Sequence, residues 1–399
     1  MQRLLLLAFL LCASLGAAPA GTVLVLPFFN QSRSENLDWI SESLSQTVRE
    51  ALAARGILVL EREDRAEAYR RLSIRPKAAL THASVIKVAE ALDATDVVYG
   101  QFDFSPGPDG VPAERGTLHI AVATLDMTRM RKGPEWVESG ALEDLASLES
   151  HLAWQVLRFL DPETTPSEEE FLRERPQVRL DAMESYIRGL LAASPAQKHR
   201  YFTQAARLDE RFSQPNFELG RLYWTSKDYR LAAEWFARVS AAGPRYLEAS
   251  FLLGLCRYHL GDYAGAQRAF ELVAASVPLN EVFNNLGAAQ SRRNLPAALE
   301  SFRKALEGDP ADPDYHFNVG YALWKRGQFD AAAASFRAAL DRNPDDAQAT
   351  LMLGRCLQKA GPRLAEASSG LERVKLNYEE GAWRQLKAAL AAGKSAAEH

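Results

Sequence analysis

The sequence predicts an α/β amino-terminal domain followed by an all-α superhelix of repeated helical hairpins. The first domain reads in the order βαβ-αα-βββ-α with a mixed sheet. Three observations carry this reading. Short apolar runs such as Thr22-Val-Leu-Val-Leu26 and Ile57-Leu-Val-Leu60 flank an amphipathic stretch in the first 160 residues. Glycines at 220, 254, 287, 320 and 354 then recur at steps of 34, 33, 33 and 34. Phenylalanines at 202, 236, 270, 302 and 336 keep the same beat, with steps of 34, 34, 32 and 34. A period of 20–50 residues marks a stacked-repeat architecture.

At 399 residues the chain is long enough for two or more cores. It is 47% hydrophobic and 25% charged, with a net charge of −4 and the two signs mixed, so no global field draws it to nucleic acid or acidic lipid. The amino terminus stands apart. Met1-Gln2-Arg3 precedes the apolar run LLLLAFLLCASLGAA and then Ala18-Pro19-Ala20. A basic start, a short apolar run and an A-x-A end form a secretory signal peptide over 1–20, cut near Ala20. The run is short for a bilayer span, which needs about 20 residues. Cys12 lies inside that run after Leu11, which argues against lipidation. The mature chain is expected outside the cytoplasm, in the periplasm or cell envelope.

Residues 21–160 supply the α/β domain. Strand Thr22–Leu26 ends at Pro27, and a helix over about Leu37–Arg55 places Trp39, Leu44, Val48 and Leu52 on one face. Gly56 stops it before the second strand, so strand, helix and strand form a parallel βαβ unit. Helices over about Arg62–Leu72 and Ala83–Leu92 follow. Asp96–Phe104 is a third strand, Leu118–Leu125 alternates as its hairpin partner, and Trp136-Val137 marks a last strand. A helix over about Leu145–Leu160 closes the domain. Residues 161–180, DPETTPSEEEFLRERPQVRL, read as a linker between two cores, with Ser167 and Glu170 spaced for a capping box.

The repeat unit occupies 181–379 as about six hairpins, with 380–399 expected as a capping helix and tail. Alanines at 232, 266, 298 and 332 fall four before their phenylalanines, and prolines at 244, 278, 310 and 344 close the units. A mid-helix glycine costs about 1 kcal/mol relative to alanine. Gly320 offsets that cost by letting the two helices of its hairpin approach, with Ala332, Ala339 and Phe336 packed opposite. Gly327 serves the turn and Pro344 ends the second helix. Cys256 and Cys356 each sit two residues after their repeat glycine, three repeats apart. That is beyond the roughly 7 Å a disulfide spans, so two reduced, buried thiols are expected.

These residues resemble the tetratricopeptide repeat: Leu219-Gly220, Leu253-Gly254, Leu286-Gly287, Val319-Gly320 and Leu353-Gly354, then A-x3-F, then proline. The tryptophan usual in its first helix is replaced by Asn216, Ser250, Phe283, His316 and Thr350. The resemblance implies a right-handed superhelix with a concave groove that holds a protein or peptide. The first domain, through VLVLPFFNQS, ILVLE, ALDATDVVYGQF and LDMT, resembles the TolB amino-terminal-like domain of bacterial envelope proteins. That resemblance implies a non-enzymatic part of an envelope assembly, associated with the membrane.

No H-E-x-x-H, C-x-x-C, G-x-S-x-G or Walker pattern is present, so the sequence gives no reason to expect an enzyme, a metal or a cofactor. Arg62, Arg65, Arg70, Arg71, Arg75 and Lys77 are interleaved with acids and read as a solvated helix face. The groove candidates lie one turn around from each glycine face: Phe217, Arg221, Trp224, Phe251, Tyr258, Asn284, Phe317, Tyr321, Trp324, Lys325 and Arg355. Aromatics with interspersed cations suit an extended peptide. The same aromatics would also suit packing between repeats or against the first domain. Asn284, with Ala288 and Ser291, breaks the aromatic pattern and suits polar backbone instead. The expectation is an exported, non-catalytic scaffold that docks through its α/β domain and holds a protein partner in the groove. The alternative is small-ligand or glycan binding by the α/β domain, with the repeats serving assembly only.

Overall fold

The computed structural model describes residues 21–32, 34–107, 116–175, 178–363 and 370–383. The signal-peptide reading falls on 1–20, and most of the expected capping helix on 384–399, outside the described residues.

The first domain is a mixed sheet with helices packed on it. Strand β1 (Thr22–Val25) pairs in parallel with both β3 (Leu58–Val59) and β4 (Asp96–Ser105). The parallel pairing of β1 and β3 requires a crossover, which α1 (Asp38–Ala54) supplies. β4 then pairs antiparallel with β5 (Thr117–Asp126), and β5 with β6 (Arg131–Ala141), giving the order β3-β1-β4-β5-β6. A two-residue strand β2 (Phe29–Asn30) adds in parallel to β4 just beyond Pro27; the sequence reading places no strand there. Helices α2 (Arg62–Arg71), α3 (His82–Glu90) and α4 (Leu145–Leu160) complete the domain. One apolar layer, with Val85, Val88 and Ala89 of α3, meets Leu24, Val97 and Leu125 of the sheet. The other, with Leu44, Val48 and Leu52 of α1 and Leu152 and Val156 of α4, meets Val23, Val98 and Ile120.

Residues 161–180 do not separate two cores. Within them α5 (Glu168–Arg173) forms on the Ser167–Glu170 capping box, and its Phe171 is buried. Phe171 joins one apolar cluster with Trp39 and Leu52 of α1 and with Tyr186 and Ile187 of α6 (Leu180–Leu191), the first repeat helix. Polar bonds tie the same junction: Arg188 donates to the Asn36 carbonyl at 3.1 Å. The first hairpin is therefore welded to the α/β domain.

With this first one, the described residues hold five hairpins: α6/α7 (Pro195–Leu208), α8 (Gln214–Thr225)/α9 (Tyr229–Phe236), α10 (Tyr246–His259)/α11 (Tyr263–Ser276), α12 (Asn280–Arg292)/α13 (Ala298–Gly308) and α14 (Pro313–Lys325)/α15 (Phe329–Arg342). α16 (Ala347–Leu357) opens a sixth unit. The expected helix to complete it is not found at 370–379, which form neither helix nor strand. The glycines act as ring seats: a Cβ on Gly254 would lie 2.7 Å from the Phe270 ring, and one on Gly320 3.1 Å from the Phe336 ring. Gly327, at φ +71°, makes the left-handed turn between the helices of its hairpin. Cys256 and Cys356 are free and buried, and burial pushes the Cys256 thiol up to about 12.

Candidate functional site

The first helices of successive hairpins, α10, α12, α14 and α16, contact one another and make one wall of the array. The chain's own residues Leu371–Glu379 lie on that wall. They follow the furrow between α12 and α14 and run antiparallel to both. Glu372 meets Ser291 and Lys325 near the helix carboxyl ends, and Glu379 meets Glu281 near the amino end of α12.

The middle of the furrow reads backbone. Asn318 Nδ2 donates to the Arg373 carbonyl at 2.8 Å, and Asn318 Oδ1 accepts the Arg373 N–H at 2.9 Å. One repeat earlier, Asn285 Nδ2 donates to the Lys375 carbonyl at 2.8 Å, and its Oδ1 accepts the Lys375 N–H at 2.7 Å. Each amide thus supplies the donor and acceptor that a neighbouring strand would supply, and the two residues read are two apart, the period of extended chain. Asn284, fully buried, adds a bond to the Arg373 carbonyl at 2.7 Å and accepts from Asn318 at 2.7 Å, which fixes both amides.

The two ends of the furrow differ in charge. At the helix carboxyl ends, the Glu372 side chain is fully buried; Ser291 Oγ donates to it at 2.6 Å, with Lys325 Nζ 3.9 Å and Arg292 4.0 Å away. At the amino ends stand Asp312, Asp314 and Asp346. Arg373 lies 3.0 Å from Asp314 and 2.7 Å from Asp346, and Lys375 2.7 Å from Asp312 and 2.6 Å from Asp314. Acids at helix amino ends and bases at carboxyl ends also complement the helix dipoles. Burial opposes the charge on Asp314, but the bonds from Lys375 and Arg373 outweigh it and hold the carboxyl below its ordinary value. The Arg373 bond does the same for Asp346. Burial lowers the Lys325 ammonium, against the pull of Glu372.

Apolar contacts flank this ladder. The Arg373 guanidinium lies 3.7 Å from the Phe317 ring centre, and the Tyr378 ring 5.1 Å from that of Phe251. Val374 packs against both repeat clusters.

Of the sequence-derived candidates, Phe251, Asn284, Phe317, Tyr321 and Lys325 touch this segment, Tyr321 through a bond from the Leu371 backbone. Phe217 is buried against Phe236 and Arg245, Trp224 packs on Tyr229 and His259, and Tyr258 on Tyr263. Tyr321 stacks between Phe317 and Trp324. Trp324 donates to the Ala360 carbonyl at 2.7 Å under the Arg355 guanidinium. Arg221 is exposed. The candidates therefore divide between the furrow and the packing of the repeats. Asn285, Asn318, Asp312, Asp314, Asp346 and Glu281 were not singled out by the sequence reading. A signal existed: the position two before the repeat glycine is Glu218, Leu252, Asn285, Asn318 and Met352 in successive units, so asparagine stands only in the two adjacent repeats that read the strand.

Among the described residues no cluster of three or more His, Cys, Asp or Glu could hold a metal ion, and no helix is long and apolar enough to cross a membrane.

Residues 199–281 and 320–368 match a tetratricopeptide repeat family model, and 291–327 a second TPR repeat model. The carboxyl-terminal half of the chain is thus an array of tetratricopeptide repeats, a class of protein-interaction scaffold. No curated protein matches the chain. Among solved structures it is similar to MamA from Desulfovibrio magneticus RS-1, at 24% identity over 42% of this chain and 95% of that one, with a TM-score of 0.37. It is also similar to YrrB, a TPR protein with an unusual peptide-binding site, at 19% identity over 48% and 91%, with a TM-score of 0.35. A third is the LpoB carboxyl-terminal domain from Salmonella enterica, at 17% identity over 32% and 86%, with a TM-score of 0.24.

Proposed function

We propose that the protein is an exported, non-catalytic scaffold. Its repeat wall holds an extended segment of a protein partner, and its α/β domain, of the TolB amino-terminal-like kind, docks to a cell-envelope assembly. The carrying observation is the asparagine ladder: Asn285 and Asn318 each saturate both backbone groups of one residue of an extended chain. Here asparagine side chains on helices take the place of the sheet edge used in strand addition, where main-chain bonds supply affinity and flanking pockets supply selectivity. Export and an envelope location rest on the leader-like residues 1–20, and docking on the resemblance of residues 21–160.

A photo-crosslinking residue placed at Arg221 or Leu351, both exposed, in the producing cell, tests this. The expected result is an envelope protein crosslinked from these positions, lost on Asn285→Ala with Asn318→Ala. Equal crosslinking from Arg303, on the second helix of its hairpin, or indifference to the asparagines, would count against it.

A second reading is favoured by one feature of the α/β domain. A cleft of about 930 Å³ is lined by Phe28, Phe29, Tyr69 and the buried pair Glu42 and Arg65, which would suit a small ligand or glycan. Because the domain shares its core with α6, the full chain is the object to screen. A ligand that raises its melting temperature, and no longer does so after Ala66→Trp narrows the cleft, would favour this reading.

A further inference from the structure

The charge order along the furrow says what kind of peptide fits it. A basic end takes an acid, two amides take backbone, and an acidic end takes two bases set two residues apart. Leu371-Glu-Arg-Val-Lys-Leu-Asn-Tyr-Glu379 has that order. Reversing the peptide's charges would set bases against Lys325 and Arg292, and acids against Asp312, Asp314 and Asp346.

We propose that the furrow between α12 and α14 is selective for extended peptides of the pattern acid-base-apolar-base, and that Leu371–Glu379 is its resident occupant in cis, which an external partner of the same pattern must displace. This rests on the scaffold reading above and adds the partner's chemistry and a gate. Three features argue for recognition rather than incidental packing. The bound segment is irregular chain, yet the backbone of Arg373 and Lys375 is fully paired by side chains that lie 55 to 90 positions upstream. The Glu372 side chain is fully buried against Ser291, and a buried acid is costly without such partners. The contacts use side-chain chemistry at consecutive positions: Glu372, Arg373, Val374 and Lys375. A segment tethered nearby competes at an effective concentration near millimolar, so it would mask the furrow from weak ligands and yield to a partner present in a tighter or multivalent form.

The test uses a fluorescent peptide of sequence LERVKLNYE and the full chain carrying Arg373→Glu and Lys375→Glu, which unseats the resident segment. The expected result is binding about 10-fold or more tighter to this variant than to the unmodified chain. It should be lost when Asn285→Ala and Asn318→Ala are added, and absent for a peptide with acid and bases exchanged. Equal, measurable binding to both chains would overturn the gate while leaving the groove reading standing. Absence of binding to either would overturn that reading as well. If the charge-reversed chain does not fold, amide hydrogen exchange gives the second measurement on the unmodified protein: excess peptide should accelerate exchange at Arg373 and Lys375, and no acceleration overturns the proposal. A concentration-dependent dimer that peptide dissolves would place the segment in a second copy, which overturns occupancy in cis.

Discussion

Asn318 grips Arg373 by both sides of one peptide residue, donating to its carbonyl at 2.8 Å and accepting its N–H at 2.9 Å. The guanidinium of the same Arg373 covers Phe317 at 3.7 Å and reaches Asp346. One residue of the extended segment is thus fixed in backbone, charge and apolar contact at once, and neighbouring repeats supply the groups.

Asn318→Asp should therefore be worse than Asn318→Ala for the segment. The aspartate keeps an acceptor but turns a second one toward the Arg373 carbonyl, where a donor stood. Alanine should cost about 1–3 kcal/mol of segment docking, and aspartate more. The loss appears as local release, seen by tryptic cleavage at Arg373, with the main thermal transition little changed.

The repeat glycines are not equivalent. A Cβ at Gly254 would meet the Phe270 ring at 2.7 Å, whereas one at Gly354 finds none of the described residues within 4 Å. Gly254→Ala should destabilise by about 1–3 kcal/mol through overpacking. Gly354→Ala, within α16, should stabilise by up to about 1 kcal/mol. Chemical denaturation of the two variants checks the opposite signs.

Glu149 of α4 is buried beside α1, accepts from Thr47 at 2.9 Å, and is pushed up to about 7 by burial. A carboxyl raised in the folded state contributes stability that is present below its unfolded value and lost as pH rises through its folded value. Stability should fall between about pH 4.5 and 7, by up to about 3 kcal/mol from this group. Glu149→Gln should flatten that slope and raise stability at pH 8, read from melting curves across pH. An unchanged slope would remove Glu149 as its source.

Arg65 and Glu42 form a buried two-pronged pair, with bonds of 2.8 and 2.7 Å. Burial resists the Glu42 charge, and the bonds and field of Arg65 outweigh it, so the carboxyl stays below its usual value. Arg65→Met alone should cost up to about 3–5 kcal/mol, because it leaves the buried carboxylate with only the longer pair to Arg62, at 3.4 Å. The double change Arg65→Met with Glu42→Leu should recover most of that loss, which a double-mutant cycle would measure.

Much of this architecture is legible in the sequence because its causes are local and periodic. The glycine–phenylalanine beat fixes the hairpins, since Phe270 and Phe336 sit on Gly254 and Gly320. The apolar runs and the helix between them fix the parallel β1–α1–β3 unit. What escaped depends on distant partners. Phe29 and Asn30 form a strand only because β4 lies beside them. Residues 371–379 carry no strand alternation and read as the end of the array. Their extended form is imposed by Asn285 and Asn318, far upstream. The welding of α6 to α1 likewise leaves no trace in a linker rich in proline and acid. At the furrow, Phe251, Asn284, Phe317, Tyr321 and Lys325 were legible as one turn around from the glycine face, but the acids that meet Arg373 and Lys375 sit at helix amino ends, where Asp312 and Asp346 also serve as caps.

The most direct test is amide hydrogen exchange at Arg373 and Lys375 in the unmodified chain. Both N–H groups donate to asparagine side chains, so protection should be clear and should fall about 10-fold or more on Asn285→Ala with Asn318→Ala. Exchange at the rate of free peptide in the unmodified chain would contradict the account.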